Sequence, residues 1–401
     1  MMAVPKVNAG CILAKPLRER INIHYESDDD CVVFIRCNGR EFQIELSPFF
    51  LCNSPLLTAR YHKFVAAVRY RSWTDGEEGD SGEEDHPEDV QARFYDWIIT
   101  VFKPIFSAVA PTVPPSFDPD MIQTGEGKPM LSEYLLPETH RCLLESENDE
   151  PFPIHMPDEE SQFMEPLCHV DPDLASEAQE HVRFFDPSAV EVSFQRPEQA
   201  LDDTPTQVLV DLDGSGDKVT CFFKGFGAGE FIPLERELEA HLQLLKSKVV
   251  PKVRVVRLLG VVAVEDGRVA GLLLPYVDFG GENDGVLDEL YLRRIPVVLR
   301  ERWVRQIKEP VQQLHEGGVV WGEATANNVL IDKNDDAWLI GLGGYYTEGW
   351  VDEEKRGTKE GDLQGVERIV EYLFSEEDNS ESTASDYDFD SASEKAVQEP
   401  Q

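Results

Sequence analysis

The stretch "VVWGEATANNVLID", Val319 to Asp332, decides how the fold of this chain is interpreted. It follows a segment of helical periodicity, about Val297 to His315, which ends at Gly317-Gly318, where a glycine can adopt the left-handed conformation that closes a helix. It precedes a short apolar segment, Ala337 to Ile340, that predicts a strand. The stretch is therefore predicted to be a polar loop between a helix and a strand, where functional side chains are often found.

The segment from Gln207 onward predicts two pairs of strands with one helix between them. "QVLVDLDGSGDKVTCFFK" has the pattern of two strands joined by an Asp-Gly-Ser-Gly turn. "PLERELEAHLQLL", Pro233 to Leu245, has helical spacing with proline near its start. Residues 253–277 then give two more strands that meet at Asp266-Gly267. The predicted order is strand, strand, helix, strand, strand.

Four short motifs follow one another through the last part of the chain. They are Leu314-His315-x-x-Gly318-Val319-Val320, Gly322-Glu323-x4-Asn328-Val329-Leu330-Ile331-Asp332, Gly341-Leu342-Gly343 and Gly361-Asp362-Leu363. In this order they resemble the protein kinase fold, and in detail the degenerate kinase-like domains common in fungi. The resemblance covers roughly residues 183–374. It implies an α+β, two-lobed fold with a β-rich small lobe over 183–279 and a truncated helical large lobe over 280–374.

The resemblance also implies roles for individual residues. A kinase needs a strand lysine for the nucleotide phosphates and a helix glutamate that holds this lysine. Lys224 resembles the lysine and Glu237 its partner, although Glu235 and Glu239 compete for that position. The alternative is an ordinary strand-end lysine beside an exposed carboxylate. Asp362 resembles the buried aspartate that braces the backbone of the catalytic loop.

The catalytic loop departs from the kinase pattern at most of its reactive positions. Glu323 stands at the position of the catalytic base, and its extra methylene moves the carboxylate by about 1 Å, enough to disturb a reactive geometry. Trp321 replaces the histidine of the motif, and Thr325 replaces a lysine that contacts phosphate. Asn328 is retained, but Gly341 replaces the aspartate that would bind Mg²⁺. Asn328 alone would hold Mg²⁺ weakly, because this ion is usually bound through one or two carboxylates.

The glycine-rich loop that covers phosphates in kinases is also missing. "DGSGD" offers two glycines, but aspartates flank them and would repel a triphosphate. These residues are Asp211, Asp213, Gly214, Gly216 and Asp217. We therefore expect a plain acidic hairpin turn at this position.

These departures favour a pseudokinase, a regulatory or scaffolding interaction module with weak or no phosphotransfer. ATP, with or without Mg²⁺, is the only cofactor that the resemblance implies, and a protein partner is expected. The alternative is an unconventional ATP-dependent phosphotransferase, acting on Ser/Thr or on a small molecule, in which Glu323 and Asn328 hold one metal ion. A third interpretation treats the fold as a scaffold without nucleotide, in which Lys224 and Glu237 form an ordinary surface pair.

Composition limits the partners and the compartment. The 401 residues include 77 Asp plus Glu and 37 Lys plus Arg, a formal net charge of −40. Such a surface repels phosphate backbones and anionic lipid, so neither nucleic acid nor a membrane is an expected partner. The seven cysteines are scattered, with no metal-binding spacing. With no signal-peptide or transmembrane pattern, an intracellular protein, cytoplasmic or nuclear, is expected.

The rest of the chain is predicted to form an N-terminal α/β accessory region and acidic segments. Residues 1–72 contain a hairpin that turns at Asn38-Gly39, 73–89 an acidic loop, and 90–182 a helical and irregular region. A helix beginning near Pro87 carries an apolar stripe that we interpret as core: Val90, Phe94, Trp97, Ile98 and Val101. Residues 375–401 are predicted to be a disordered acidic tail, whose Ser375 and Ser385 precede acids that suit acidophilic kinases.

Overall fold

Three β-sheets and the helices packed on them make up the described part of the protein. The computed structural model describes residues 14–16, 22–23, 30–73, 87–113, 116, 118–124, 127–156, 167–194, 205–227, 230–247, 253–280, 285–344 and 346–375. Nearly all of the predicted acidic loop and tail lies outside these residues. The described architecture is mixed α+β, as expected. Within these ranges no helix is long and apolar enough to cross a membrane.

The first sheet belongs to the N-terminal part of the chain. Its strands are β1 (Ala14–Pro16), β2 (Asn22–Ile23), β3 (Cys31–Cys37), β4 (Arg40–Leu46), β5 (Thr139–Glu147) and β6 (Glu150–His155). They are ordered β1-β3-β4-β5-β6, with β2 paired to β3, and only β4 and β5 run parallel. The predicted hairpin is confirmed, because Asn38 and Gly39 both have positive φ, 48° and 78°, as a tight β3–β4 turn requires.

Three helices pack against this sheet: α1 (Pro48–Leu51), α2 (Pro55–Trp73) and α3 (Pro87–Val109). Their core contains Phe64 and Phe94, whose rings stack with centroids 4.0 Å apart. The stripe predicted on α3 is core, since Val90, Phe94 and Ile98 are buried and its other two members pack partly against the cluster. Burying each such side chain stabilises the fold by about 1.5–3 kcal/mol.

The face of the hairpin opposite this core carries polar residues. Arg36, Glu41 and Gln43 lie on this face and are also buried. Helix α4 spans Pro119–Thr124, and helix α5 spans Leu131–Leu135 and carries Tyr134. The Arg36 guanidinium lies 4.0 Å above the Tyr134 ring and donates to its backbone carbonyl at 2.7 Å. A polar face thus becomes an internal contact because another segment covers it.

The second sheet has six strands and one intervening helix. The strands are β7 (Arg183–Phe185), β8 (Glu191–Val192), β9 (Gln207–Val210), β10 (Val219–Gly225), β11 (Gly260–Ala263) and β12 (Val269–Pro275), ordered β7-β11-β12-β10-β9-β8. Helix α6 spans Pro172–His181, and helix α7 spans Phe231–Lys246 and connects β10 to β11. The predicted order strand, strand, helix, strand, strand is confirmed, with α7 starting two residues before Pro233.

Segments from the accessory region complete the second sheet. The backbone of Leu131 donates to the carbonyl of Val190 at 2.8 Å, and Cys168 exchanges two backbone hydrogen bonds with Val269. Leu131 and Leu135 share one apolar cluster with Val190. These contacts cross the boundary predicted at residue 182.

The last described part contains β13 (Val329–Ile331), β14 (Ala337–Leu339), α8 (Val297–Glu316) and α9 (Lys359–Phe374). Helix α8 ends as predicted, because Gly318 has a φ of +79°. Asp335 lies in the β13–β14 turn with a φ of +59°, and Asp336 forms ion pairs with Arg254 and Arg302. Both aspartates are thus engaged in the fold, Asp335 in the turn and Asp336 in ion pairs.

We expect Gly271→Ala to lower the free energy of unfolding by about 1–3 kcal/mol, because an added methyl group overfills a packed strand pair. Gly271 lies on β12, and its Cβ would stand 2.3 Å from the backbone oxygen of Lys224. Gly227→Ala is the matched control, since its Cβ would meet only a Glu230 oxygen at 3.4 Å. Denaturant unfolding of both variants checks this, and equal losses would contradict the packing argument.

Candidate functional site

The structure brings Lys224 and Glu237 together. Lys224 lies near the end of β10, and its Nζ is 2.5 Å from Oε2 of Glu237 on the second turn of α7. The competing carboxylates are placed elsewhere: Glu235 accepts a hydrogen bond from the backbone of Asp171 at 2.8 Å, and Glu239 is exposed. Of the three acids on this helix, Glu237 is the one that holds the lysine.

Burial and two neighbours determine the charge of Glu237. Its carboxylate is 7% exposed, while the Lys224 side chain is 38% exposed. Burial alone raises the pKa of Glu237, but the His241 ring, whose Nε2 is 3.8 Å from Oε1, and the Lys224 ammonium outweigh it and lower the pKa. The pair is therefore ionised, with the ammonium at the solvent side and the carboxylate inside.

A buried aspartate holds the loop that begins at Val319. Asp362 is 2% exposed, and its two carboxylate oxygens accept hydrogen bonds from the backbone N–H groups of Trp321 and Gly322, both at 2.8 Å. Nε2 of His315 lies 2.7 Å from Oδ2. Burial raises the pKa of Asp362 against these lowering contacts. The predicted bracing of the loop by this residue is confirmed.

Trp321 anchors the loop from its inner side. The side chain is fully buried, and its indole N–H donates to the carbonyl of Ile340 at 2.7 Å. The next residue, Gly322, has a φ of +95°, and a Cβ there would lie 2.5 Å from the backbone oxygen of Gly344. Trp321 is thus a packing residue. Position 322 requires glycine, because its positive φ and the nearby Gly344 oxygen leave no room for a Cβ.

The glycine-rich segment Gly341-Leu342-Gly343-Gly344 joins the lysine pair to this loop. A Cβ on Gly343 would stand 2.4 Å from the carbonyl oxygen of Arg236 and 3.0 Å from Cα of Glu237. A Cβ on Gly344 would stand 2.4 Å from Cβ of Glu323. The segment therefore passes closely between α7 and the loop. Sequence reasoning missed this role, although the three glycines of "GLGG" were its signal.

Glu323 and Asn328 lie in one loop and are engaged in its structure. The side-chain amide of Asn328 donates to the backbone carbonyl of Glu323 at 3.0 Å, and Oε1 of Glu323 accepts from the Thr347 hydroxyl at 2.6 Å. Thr325 is buried and carries no charge toward a ligand. The two predicted catalytic residues are adjacent, but each makes hydrogen bonds that fix the loop itself.

The residues near Gly341 do not fit a Mg²⁺ ion. Gly341 has a φ of +67°, and a Cβ there would lie 2.4 Å from Oδ1 of Asn328. The nearby Asp332 instead accepts bonds from the backbone of Asn334 and Asp336 and from the Trp338 indole. Among the described residues no group of three His, Cys, Asp or Glu could hold a metal ion. One carboxylate and one amide are too few for the octahedral shell that Mg²⁺ prefers.

The acidic turn between β9 and β10 occupies its own backbone donors. Asp211 accepts hydrogen bonds from the N–H groups of Gly214 and Gly216 at 2.7 and 2.9 Å, and Asp213 accepts from Ser215 at 3.0 Å. Such donors could otherwise bind phosphate. The interpretation of this segment as an acidic hairpin turn is confirmed.

Comparison with known proteins does not assign a family to this site. No protein-family model matches the chain. No curated protein sequence matches it either. The chemical interpretation of the site therefore rests on the residues and their contacts.

We expect Glu237→Gln to lower the free energy of unfolding by about 1–3 kcal/mol at neutral pH, because it removes the charged acceptor of Lys224. The folded-state pKa of Glu237 is lowered from 4.5, so this stabilisation is complete above pH 4.5 and is lost as the pH falls through the folded-state value. The difference between wild type and variant should shrink below pH 4.5 in denaturant unfolding. Glu239→Gln, exposed on the same helix, is the control. A difference that grows on acidification would contradict the assignment.

Gly341→Asp should destabilise the protein rather than create a metal site. A non-glycine residue in this left-handed backbone conformation costs about 1–2 kcal/mol of folding free energy. Overpacking against Asn328 costs a further ~1–3 kcal/mol. Gly349→Asp is matched for the backbone term alone, since Gly349 has a φ of +83° and nothing within 4 Å of its Cβ. Unfolding measured with and without Mg²⁺ tests this. A Gly341→Asp chain that Mg²⁺ stabilises would show that the site can be rebuilt.

Proposed function

We propose that residues 183–374 form a protein-kinase-like module that retains the lysine pair for nucleotide phosphates, lacks the metal site, and acts as a regulatory or scaffolding pseudokinase. The observation that carries this proposal is Gly341. At the position of the metal-binding aspartate, the backbone has positive φ and Asn328 fills the space of a side chain. A carboxylate cannot be placed there without moving the loop.

Two contacts and the order of the elements support the kinase-like part of the proposal. Lys224 and Glu237 form the strand-to-helix ion pair that the family uses to hold phosphates. Asp362 braces the loop backbone from the start of α9. The second sheet and α7 follow in the order of a kinase small lobe. Each element was predicted from a motif in its own place along the chain, and the contacts join them around one loop.

The electrostatics of the same region oppose phosphoryl transfer. Transfer depends on cations that neutralise charge on the phosphates. Lys224 is a cation at the site, whereas Glu323 contributes negative charge. In the turn between β9 and β10, the backbone amides of Gly214 and Gly216 are already bonded to the Asp211 carboxylate, so this turn does not offer them to a phosphate. Binding of a nucleotide through Lys224, without turnover, is what this arrangement supports.

The alternative phosphotransferase is supported by one observation, the adjacency of Glu323 and Asn328. The amide of Asn328 and the backbone of Glu323 are in direct contact, so a single ion could contact both side chains after they rearrange. That rearrangement would break the bond between Glu323 and Thr347. We therefore rank this mechanism second.

We expect ATP to raise the melting temperature of the full chain equally with and without Mg²⁺, because the chain supplies Lys224 but no metal site. A ligand that binds only the folded state stabilises it by about 2.7 kcal/mol at one hundred times its Kd. Lys224→Met should abolish the rise. Lys218→Met is the matched control, since Lys218 lies just before the same strand and pairs with Glu191 at 2.5 Å. Differential scanning fluorimetry of the three proteins gives the result.

Three outcomes, read from this experiment and a phosphoryl-transfer assay, would replace the proposal. A rise that requires Mg²⁺, together with phosphoryl transfer that Glu323→Gln abolishes, would establish the phosphotransferase. No rise with any nucleotide in wild type would leave a scaffold without nucleotide, in which Lys224 and Glu237 are a structural pair. If Lys224→Met and Lys218→Met reduce the ATP-dependent rise in melting temperature equally, ATP responds to the general charge of the surface and not to a site at Lys224.

A further inference from the structure

An open groove lies between α2 and α3. It has a volume of about 500 Å³. Its floor is apolar and its rim is basic. The floor is formed by Val90, Phe94 and Trp97, and the rim by Arg60, Lys63 and Arg93.

The floor of the groove is built of packed aromatic rings. Phe94 stacks on Phe64 with an interplanar angle of 10°, so its ring is fixed from below. The rings of Phe94 and Trp97 have centroids 5.4 Å apart. Trp97 is only partly buried, and the Arg60 guanidinium lies 4.7 Å above its ring. The groove therefore offers a fixed apolar surface beside a cation, the type of surface that anchors aromatic side chains.

The rim is positively charged, although the chain as a whole is strongly negative. Three exposed cations border one groove in a protein whose formal net charge is −40. Arg60 and Lys63 are one turn apart on α2, and Arg93 lies opposite on α3. Clusters of arginine and lysine are the surfaces that recognise acidic peptide motifs. The matching ligand is an acidic peptide that also carries aromatic rings.

We propose that this groove binds the acidic tail of the chain itself, through Asp386-Tyr387-Asp388-Phe389-Asp390. In an extended peptide, successive side chains point to opposite sides, so the two rings share one side and the three acids the other. With the rings on the apolar floor, the acids lie at the open mouth of the groove, which the basic side chains border. Residues 376–401 carry nine Asp and Glu against one Lys, which gives the whole tail the complementary charge.

The acidic loop that connects α2 to α3 is the competing occupant. Residues 74–86 contain no Lys or Arg and also no Phe, Tyr or Trp. The loop could satisfy the rim, but it has no aromatic ring for the floor beside Phe94 and Trp97. The tail supplies both properties, and this difference decides between the two segments. The proposal does not depend on nucleotide binding at Lys224.

The test uses a fluorescein-labelled peptide of residues 380–394 and the full chain. In the receptor, the chain's own motif is replaced by D386N, Y387A, D388N, F389A and D390N, so that it cannot compete. Fluorescence anisotropy should show saturable binding, weakened at least tenfold by Arg60→Glu and weakened by added salt. Lys103→Glu, exposed on α3 outside the groove, should leave binding unchanged. The wild-type chain, with its tail intact, should bind the peptide at least tenfold more weakly.

Each remaining outcome overturns the assignment. Absence of saturable binding, or binding that Arg60→Glu and Lys103→Glu weaken equally, shows that the groove does not recognise the motif. A second variant neutralises the loop in the wild-type chain through Glu77→Gln, Glu78→Gln, Glu83→Gln and Glu84→Gln. If this variant binds the peptide and the variant with the tail substitutions does not, the loop is the occupant. Arg60→Gln and thermal melting of every variant separate loss of binding from loss of folding.

Discussion

The buried carboxylate of Asp362 is the constraint on which the candidate site depends. Its two oxygens fix consecutive backbone N–H groups, and its contact with His315 ties the end of α8 to the start of α9. A charged acceptor in this position is stable only because it is fully hydrogen-bonded, since an unpaired buried charge would cost several kcal/mol. The loop that carries Glu323 and Asn328 starts from these two fixed N–H groups.

The glycines of the site form a second constraint, of space instead of charge. Gly343 lets the chain pass against α7 at Glu237, and Gly344 lets it pass against Glu323. Such close backbone contacts hold the lysine pair and the loop in one rigid arrangement. Glycine allows two backbones to approach closely, but it has no side chain that could bind a ligand. The site therefore keeps a defined shape although it lacks most reactive groups.

Local signals predicted much of this structure, and contacts between distant segments accounted for what they missed. The turn at Asn38-Gly39, the cap at Gly318 and the start of α3 at Pro87 each depend on a few neighbouring residues, and all were predicted. The parallel pairing of β4 with β5 joins segments far apart in the chain, which no short pattern encodes. Burial of Glu41 has the same origin, because the residues that cover the sheet lie in another part of the sequence.

The candidate site shows the same division. Lys224, Glu237 and Asp362 were identified from motifs, because charged groups at fixed spacings leave a sequence pattern. Two other features were not identified from motifs. One is the hydrogen bond of Trp321 to Ile340, and the other is the binding of the turn's own N–H groups by Asp211. Both are hydrogen bonds that satisfy buried or turn donors, and several residues in the neighbourhood could have provided the acceptor.

The contact of Arg36 with Tyr134 has a practical consequence for dissecting the protein. It joins the hairpin face of the first sheet to α5, while Leu131 and Leu135 of α5 belong to the apolar cluster of the second sheet. A fragment that begins at residue 183 would leave that cluster open and strip Val269 of its backbone partner Cys168. A cut before Pro129 keeps that cluster but separates β5 from its partner β4, so neither half of the chain can be excised without exposing one of the two sheets.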